Sequence, residues 1–424
     1  MADITIDGTT IGANRFLLLD STGKIPAVDG SQVTAIAAGN IATGTIPIAR
    51  IDTGTTANKI VQLDGNAKLP ALDGSQITNM PSATKSSSDP TISTNPSGGV
   101  GSEWHNTTTG EAYICTDATT GENVWTNIGA GSGDIVPWYF GGDAYGYHLG
   151  NGPPVGNVRG KYSFTSDGNG VDAGDLSLAR FSTSGAQSAT HGYAAGGSNG
   201  NGVGNTIDKF VFSVEATSTD VGDLTTTGAD GPGGQSSETY GYAHGGHPVG
   251  LNRGIDKWPF ASDANATDVG DCVVTNLGWR SGQSSTTYGY SAGGHGPPRN
   301  VTIDKHSFAT DGNATDVGDL TGNGDTGCAG ASSATHGYAL GGQDPQDRMD
   351  KWTFASDANA TDVGNLFTGQ NYGGGSSSQA YGYMAGGGAP KINVIQKVSF
   401  SSDGNATDVG DTHITDYYYG GCHV

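Results

Sequence analysis

Gly241-Tyr-Ala-His-Gly-Gly246, then Ile255-Asp-Lys-Trp-Pro-Phe260, then Thr267-Asp-Val-Gly-Asp271, is one copy of a pattern that recurs six times between Asp134 and Val424. The Gly-Tyr pairs begin at Gly146, Gly192, Gly241, Gly289, Gly337 and Gly382. The lysines that follow are Lys161, Lys209, Lys257, Lys305, Lys351 and Lys397, spaced 48, 48, 48, 46 and 46 residues apart. A fixed period of this size marks a solenoid, an array or a propeller.

Aligning the copies predicts four short strands per unit. The first is a small-residue stretch such as Gly234-Gln-Ser-Ser-Glu238, and the second is Tyr242-Ala-His-Gly-Gly246. The third is Ile255–Phe260 and the fourth Thr267–Asp271, with a Ser-Asp-Ala-Asn turn between them. Nothing in the period has the spacing of an amphipathic helix. Small residues suit the crowded inner end of a propeller blade. Tyr162, Phe210, Trp258 and Trp352 of the third strand suit the wider gap further out. The expected fold is therefore all-β, with a six-bladed β-propeller over residues 134–424. Ring closure is open at this level. Pro137-Trp-Tyr-Phe-Gly-Gly142 and Asp416-Tyr-Tyr-Tyr-Gly-Gly421 are alike, and either supplies an inner strand for the first unit.

Composition agrees with an ordered repeat. Gly is 73 of 424 residues and hydrophobic residues are only 34%, yet the glycines sit at fixed repeat positions, where turns and close backbone packing need them. The formal charge of −22 repels phosphate backbones, which argues against a nucleic-acid partner. Cys115, Cys272, Cys328 and Cys422 form no Cys-x-x-Cys pair and share no repeat position, so they read as plain thiols. Met1–Ala13 lacks the basic start and long apolar stretch of a secretory signal, and Phe16–Leu19 is too short to insert in a membrane. The expectation is a protein made and kept in the cytosol, or one that leaves by a route such as lysis.

Residues 1–80 hold a second duplication. Arg15-Phe-Leu-Leu-Leu-Asp20 with Lys24–Val33 returns as Lys59-Ile-Val-Gln-Leu-Asp64 with Lys68–Ile77. Such thin apolar segments bury too little alone, so a stalk or attachment region that several chains build together is expected. Residues 81–102 read as a Ser/Pro/Gly linker. Residues 103–130 read as a small β unit of three strands. Its Trp104, Tyr113 and Trp125 form either a core or a surface for stacking on sugars.

The Tyr-x-x-Gly-Gly ending of the second strand, followed by an aromatic third strand, resembles kelch-type propellers. Asp-Val-Gly-Asp stands where that family has a fourth-strand Trp. Leu-Asp-Ser-Thr-Gly-Lys-Ile-Pro-Ala-Val-Asp-Gly-Ser-Gln and Asn-Thr-Thr-Thr-Gly-Glu-Ala-Tyr-Ile-Cys-Thr-Asp-Ala look like segments of tailed-phage tail-fibre proteins. The Ser-Asp-Gly-Asn-Ala-Thr-Asp-Val-Gly-Asp runs are similar to repeats in fibre-like proteins of marine phages. The resemblance implies a homotrimeric virion appendage, assembled in the host cytoplasm, that binds other tail or baseplate proteins and a host surface glycan or protein.

The six repeat lysines form either a basic ring or structural pairs with acids such as Asp208, Asp256, Asp304 or Asp350, or with the Asp-Val-Gly-Asp carboxylates. Structural pairing is expected, because equivalent side chains in every unit hold units together. Asp311-Gly-Asn-Ala-Thr-Asp316 and Asp403-Gly-Asn-Ala-Thr-Asp408 offer oxygens to Ca²⁺, although Asx turns explain the same residues. No other cofactor is expected, and no nucleophile elbow, zinc helix or phosphate loop occurs. The segments joining second to third and fourth to first strands differ in every copy and should emerge on one face. His247, Arg253, Trp279, Arg280, His295, Arg299, Arg348 and Tyr372 are the receptor-binding candidates there, by stacking and charged hydrogen bonds. The alternatives are a depolymerase-type carbohydrate-active enzyme, which needs a carboxylate pair confined to one or two units, and a purely structural virion component.

Overall fold

The computed structural model describes residues 83–129 and 140–424 and the isolated Ser21. Within that span it leaves out residues 203, 226–229, 247–253, 275–277, 297–298, 323–325, 344–346 and 389. Contacts divide the chain into Met1–Ala83 and Thr84–Val424. The expected stalk at residues 1–80, with its duplicated motif, lies outside the described residues.

The protein is all-β. Seven four-stranded sheets are present among the described residues, and none of those residues is helical. The smallest sheet joins Thr84–Ser86, Glu103–Asn106, Ala112–Asp117 and Val124–Asn127. Its first strand comes from the segment expected as a linker and pairs in parallel with Glu103–Asn106. That segment is held because its backbone finds side-chain partners: Trp104 Nε1 donates to Ser88 O at 2.9 Å and Asn123 Nδ2 to Ile92 O at 2.7 Å. Tyr113, Cys115 and Trp125 are buried, and Trp104 meets Trp125 edge-on at 5.9 Å. These rings are the core of the small sheet.

The other six sheets are the six repeats. The third sheet is typical: Gly233–Ser236 inside, then Tyr240–His244, Gly254–Pro259 and Thr267–Asp271 outermost, all antiparallel. The first sheet takes its inner strand from the other end of the chain. Gly420–His423 pairs with Tyr145–Asn151, with Gly421 opposite His148. The C-terminal copy therefore supplies that strand. Phe140–Gly142 lies beyond it, with Gly142 bridging to Ser378.

The signature residues meet across the seams between sheets. Each Gly-Tyr tyrosine faces a phenylalanine of the following sheet, as in Tyr193 on Phe260 at 4.8 Å, Tyr290 on Phe354 at 4.7 Å and Tyr383 on Phe164 at 4.7 Å. The glycine before each tyrosine leaves room for the third-strand side chain of its own sheet. A Cβ at Gly192 would overlap Phe210, and one at Gly337 would overlap Trp352. Each lysine reaches an acid in the next sheet's turn: Lys161 Glu215 at 2.6 Å, Lys209 Asp263 at 2.8 Å, Lys257 Asp311 at 2.6 Å and Lys397 Asp167 at 2.6 Å, with Lys305 on Asp357 and Lys351 on Asp403. The last pair in chain order, Lys397 to Asp167, joins the sixth sheet to the first, as does the Tyr383–Phe164 stack. The contacts thus run in a closed cycle.

Pairing is structural, as expected, but with other partners. Asp208, Asp256, Asp304 and Asp350 are buried. A register shift in the third strand falls beside each of them, and such bulges re-aim side chains. Their carboxylates accept from backbone amides 29 to 31 residues earlier, of Ser177, Thr225, Val273 and Thr321, anchoring the loop into each sheet. The turn oxygens weighed for Ca²⁺ are engaged too. Asp311 takes Lys257, Asn313 Oδ1 accepts from the Asp271 amide at 3.0 Å, and Asp316 Oδ1 accepts from Gly318 N at 3.1 Å. Among the described residues no group of three His, Cys, Asp or Glu side chains is placed to hold a metal. All four cysteines are buried and none is in a disulfide.

Candidate recognition surface at the channel mouth

The inner strands surround a central channel built in three tiers. The middle tier is glycine. A methyl group on any of Gly185, Gly234, Gly282, Gly330, Gly375 and Gly421 would come under 3.0 Å from a neighbouring sheet's equivalent glycine, and the six relations close a ring. The inner strands end at Ser236, Ser284, Ser332 and Ser377, and these serine hydroxyls form the second tier. Each accepts from the preceding sheet's backbone: Gln187 N to Ser236 Oγ at 2.8 Å, Ser236 N to Ser284 Oγ at 3.0 Å, and so on to Ser377. His423 completes this tier, in reach of Gln187 Nε2 at 2.9 Å and of the Phe140 carbonyl. Phe140 thus sits at this end of the channel.

The third tier is the opposite end, the mouth. Two residues before each inner strand stand Ser182, Gly231, Trp279, Gly327, Tyr372 and Tyr418. All have left-handed backbone, with φ of 54°, 64°, 53°, 73°, 58° and 63°. Their amides and carbonyls link round the axis: Ser182 N to Tyr418 O at 2.7 Å, Tyr418 N to Tyr372 O at 2.8 Å, Tyr372 N to Gly327 O at 2.7 Å, Gly327 N to Trp279 O at 3.0 Å and Gly231 N to Ser182 O at 2.9 Å. Arg280 N completes the circuit on Gly231 O at 3.3 Å. For a bulky L-residue this backbone region carries strain of roughly 1–2 kcal/mol. Two sheets meet the geometry with glycine, while three put Trp or Tyr there.

Those three rings touch. Tyr372 and Tyr418 have centroids 4.4 Å apart, Trp279 and Tyr372 6.0 Å, and Trp279 and Tyr418 6.4 Å. Phe181, Tyr417 and His295 extend the patch, His295 standing edge-on to Trp279 at 5.3 Å. With Ser182 and Arg280, the three rings line a shallow cavity of about 60 Å³. Trp279 Nε1 donates to Ser182 Oγ at 3.2 Å. Asp230 is 9% exposed, and its Oδ1 has no hydrogen-bond partner. Burial pushes its carboxyl up to about 6, against the lowering effect of Ser182. Burial likewise pushes the Tyr418 phenol up to about 12, reinforced by Tyr372, Tyr417 and Asp230.

The two families of variable loops do share this end. Bridges join Phe181 to Ser198, Gly278 to His295 and Asn371 to Gly388, one residue of each pair in a fourth-to-first loop and the other in a second-to-third loop. Of the eight predicted residues, Trp279, His295 and Tyr372 come together at the mouth. Arg299 is exposed nearby; its Nη1 donates to Gln343 O at 3.2 Å and its charge acts on Tyr372. Arg280 and Arg348 are buried scaffold instead. Arg280 Nη1 meets Asp304 at 2.9 Å and Arg348 Nε meets Asp350 at 3.3 Å. The buried Asp at each bulge draws them inward. His247 and Arg253 lie outside the described residues. Sequence reading missed Tyr418, Ser182 and Asp230. Asp416-Tyr-Tyr-Tyr reads as the start of an inner strand, whereas the strand begins at Gly420 and leaves Tyr418 at the mouth. Aligning position by position upstream of the inner strands reveals it.

No known protein-family model matches the chain, and no curated protein is detectably similar to it.

Proposed function

We propose that the six sheets are the blades of a kelch-like β-propeller in a tail fibre or similar virion appendage, and that its mouth and the surrounding loops bind a host cell-surface receptor. One observation carries the reading: residues that recur in every sheet are consumed in seams and channel, while the residues that differ gather at one end as an aromatic patch. Constant framework with divergent loops on one face is the build of a recognition surface. In this reading the N-terminal region trimerises and attaches to tail or baseplate proteins, and three heads on one fibre multiply weak contacts.

Fluorescently labelled full-length protein, mixed with a panel of bacterial isolates, tests this. Staining of intact cells of some isolates and not others is expected, reduced at least tenfold by joint Trp279→Gly and Tyr372→Gly replacement. Co-sedimentation with virions together with no staining of any isolate would favour a purely structural component. Reducing ends released from host polysaccharide would favour the enzyme.

A further inference from the structure

We infer that Asn201 and Gly202 form a site of spontaneous covalent modification at the rim of the mouth, where the Asn201 side-chain amide is converted to aspartate and isoaspartate through a cyclic imide. Asparagine is among the chemically labile residues. Its reaction needs the next residue's backbone nitrogen to reach the side-chain carbonyl carbon, and glycine, with no Cβ, hinders that least. Asn-Gly occurs at Asn151, Asn169, Asn199, Asn201 and Asn323, and the last of these lies outside the described residues. The fold treats the other four differently. Asn151 is buried and its Nδ2 donates to Asp416 Oδ2 at 2.7 Å, while Gly152 N donates to Tyr417 O at 3.3 Å. At Asn169, Oδ1 accepts from Asp411 N at 3.1 Å and Gly170 N donates to Asp411 O at 2.6 Å. At Asn199, Oδ1 accepts from Asn201 N at 2.9 Å and Gly200 N donates to Ser198 Oγ at 3.2 Å. Each of these three pairs has both its amide side chain and its glycine nitrogen engaged. Asn201 is exposed, and among the described residues neither its side chain nor Gly202 N has a hydrogen-bond partner. A methyl group on Gly202 would meet nothing within 4 Å, so a ring has room to form there.

Gly202 N loses its proton and attacks Asn201 Cγ. The new C–N bond closes the imide, the Cγ–Nδ2 bond breaks, and the side-chain nitrogen leaves as ammonia with a proton from water. A water molecule then adds to one of the two imide carbonyls. One opening gives aspartate, and the other gives isoaspartate, whose main chain runs through the side-chain carbon. No oxidant or cofactor takes part. Either product adds a negative charge to the loop. Isoaspartate also lengthens the backbone of a turn in which Gly202 O accepts from Asn199 N at 3.0 Å and from Ser198 Oγ at 3.1 Å. Ser198 bridges to Phe181, whose ring lies 5.4 Å from that of Tyr418. The change therefore falls beside the aromatic patch.

Full-length protein held at 37 °C, at pH 6 and at pH 8, tests this. After a brief digestion with trypsin at pH 6, the Phe181–Lys209 peptide is sequenced by tandem mass spectrometry. A mass gain of about 1 Da localised to Asn201 is expected, with isoaspartate among the products. It should accumulate faster at pH 8, because the attacking nitrogen must lose its proton. Asn151 and Asn169 should stay intact over the same time, and Asn199 should lag behind Asn201. In urea-unfolded protein those differences should vanish, since the fold alone sets them. Gly202→Ala puts a methyl group beside the attacking nitrogen without touching any neighbour, and it should slow the folded protein's reaction by roughly tenfold. No mass gain at Asn201, a faster gain at Asn199, Asn169 or Asn151 in the folded protein, or an undiminished rate in Gly202→Ala overturns the inference. The outcome is independent of whether the mouth binds a receptor.

Discussion

The seams between sheets and the mouth of the channel obey opposite rules. At the seams, chemistry repeats: a tyrosine on a phenylalanine, a lysine on an acid, a glycine under a carbonyl, six times round a closed cycle. At the mouth, geometry repeats and chemistry does not. Six residues share one left-handed backbone and a ring of hydrogen bonds, yet their side chains are Ser, Gly, Trp, Gly, Tyr and Tyr. A repeat protein gains stability from sameness and specificity from difference, and here the two are separated along the axis. Residues that break the repeat inside the scaffold should therefore be its weak points.

Acid should expose those weak points with the largest effect. His148 stacks on His413 at 5.1 Å and lies against Tyr419, and His244 meets His306 edge-on at 4.3 Å with Arg280 close by. His423 is buried against Phe140. Both ring nitrogens of His148 and of His244 lack hydrogen-bond partners. Burial holds His148 down to about 3, His306 and His423 to about 4, and His244 well below its ordinary value. Each folded value is depressed, so this stability is complete above the unfolded value near 6.5 and is lost as pH falls below it. The slope approaches about 1.4 kcal/mol per pH unit for each histidine. Asp230, raised to about 6, works the other way, but it is one group against four. Urea midpoints between pH 7.5 and 5.5 should fall steeply. Joint His244→Ala and His306→Trp replacement, which restores residues found in other sheets, should flatten the curve. A flat wild-type curve would remove the claim.

The channel wall comes next. Gly282→Ala sets a methyl group against the Gly234 carbonyl, in a ring where every neighbour is backbone and cannot turn aside. Overpacking of this kind costs about 1–3 kcal/mol, occasionally more. Gly202→Ala, in a loop with nothing within 4 Å of the new atom, is the control and should be neutral or slightly stabilising. Equal melting temperatures for the two variants would mean that the inner ring is looser than its contacts imply.

These contrasts also explain what the sequence disclosed. Strand positions were legible to within two residues in the third sheet: Thr267–Asp271 matches, Ile255–Phe260 runs Gly254–Pro259, Gly234–Glu238 runs Gly233–Ser236 and Tyr242–Gly246 runs Tyr240–His244. The repeat carried that information. The partners of the lysines were not legible, because each acid lies 52 to 54 residues downstream for the first five pairs, in another sheet, where no local pattern reaches. Arg280 and Arg348 looked like loop donors because nothing in a sequence shows that a bulge turns Asp304 and Asp350 inward to meet them. Half of the mouth was visible as variable loop. Tyr418 was hidden by two further tyrosines beside it and by an uncertainty of a few residues in where the last strand begins.

The lysine ring is the most conspicuous repeated feature and should matter least, which makes it the sharpest probe of what holds a seam. At the seam between the fourth and fifth sheets, Lys305 pairs with Asp357 while Tyr290 stacks on Phe354 at 4.7 Å. The Asp357 side chain is 58% exposed, so water and salt screen the pair. Exposed pairs of this kind contribute about 0.2–1 kcal/mol. An aromatic pair contributes about 0.5–1.5 kcal/mol beyond the burial of its rings. Lys305→Met keeps the methylene stem over the seam and removes only the charge. A double-mutant cycle of Lys305→Met with Asp357→Ala should give a coupling below about 1 kcal/mol that shrinks in salt, as screening requires. Tyr290→Leu at the same seam should lower stability by more. A coupling larger than the effect of Tyr290→Leu would reverse the order, and the seams would then be held by charge rather than by packed rings.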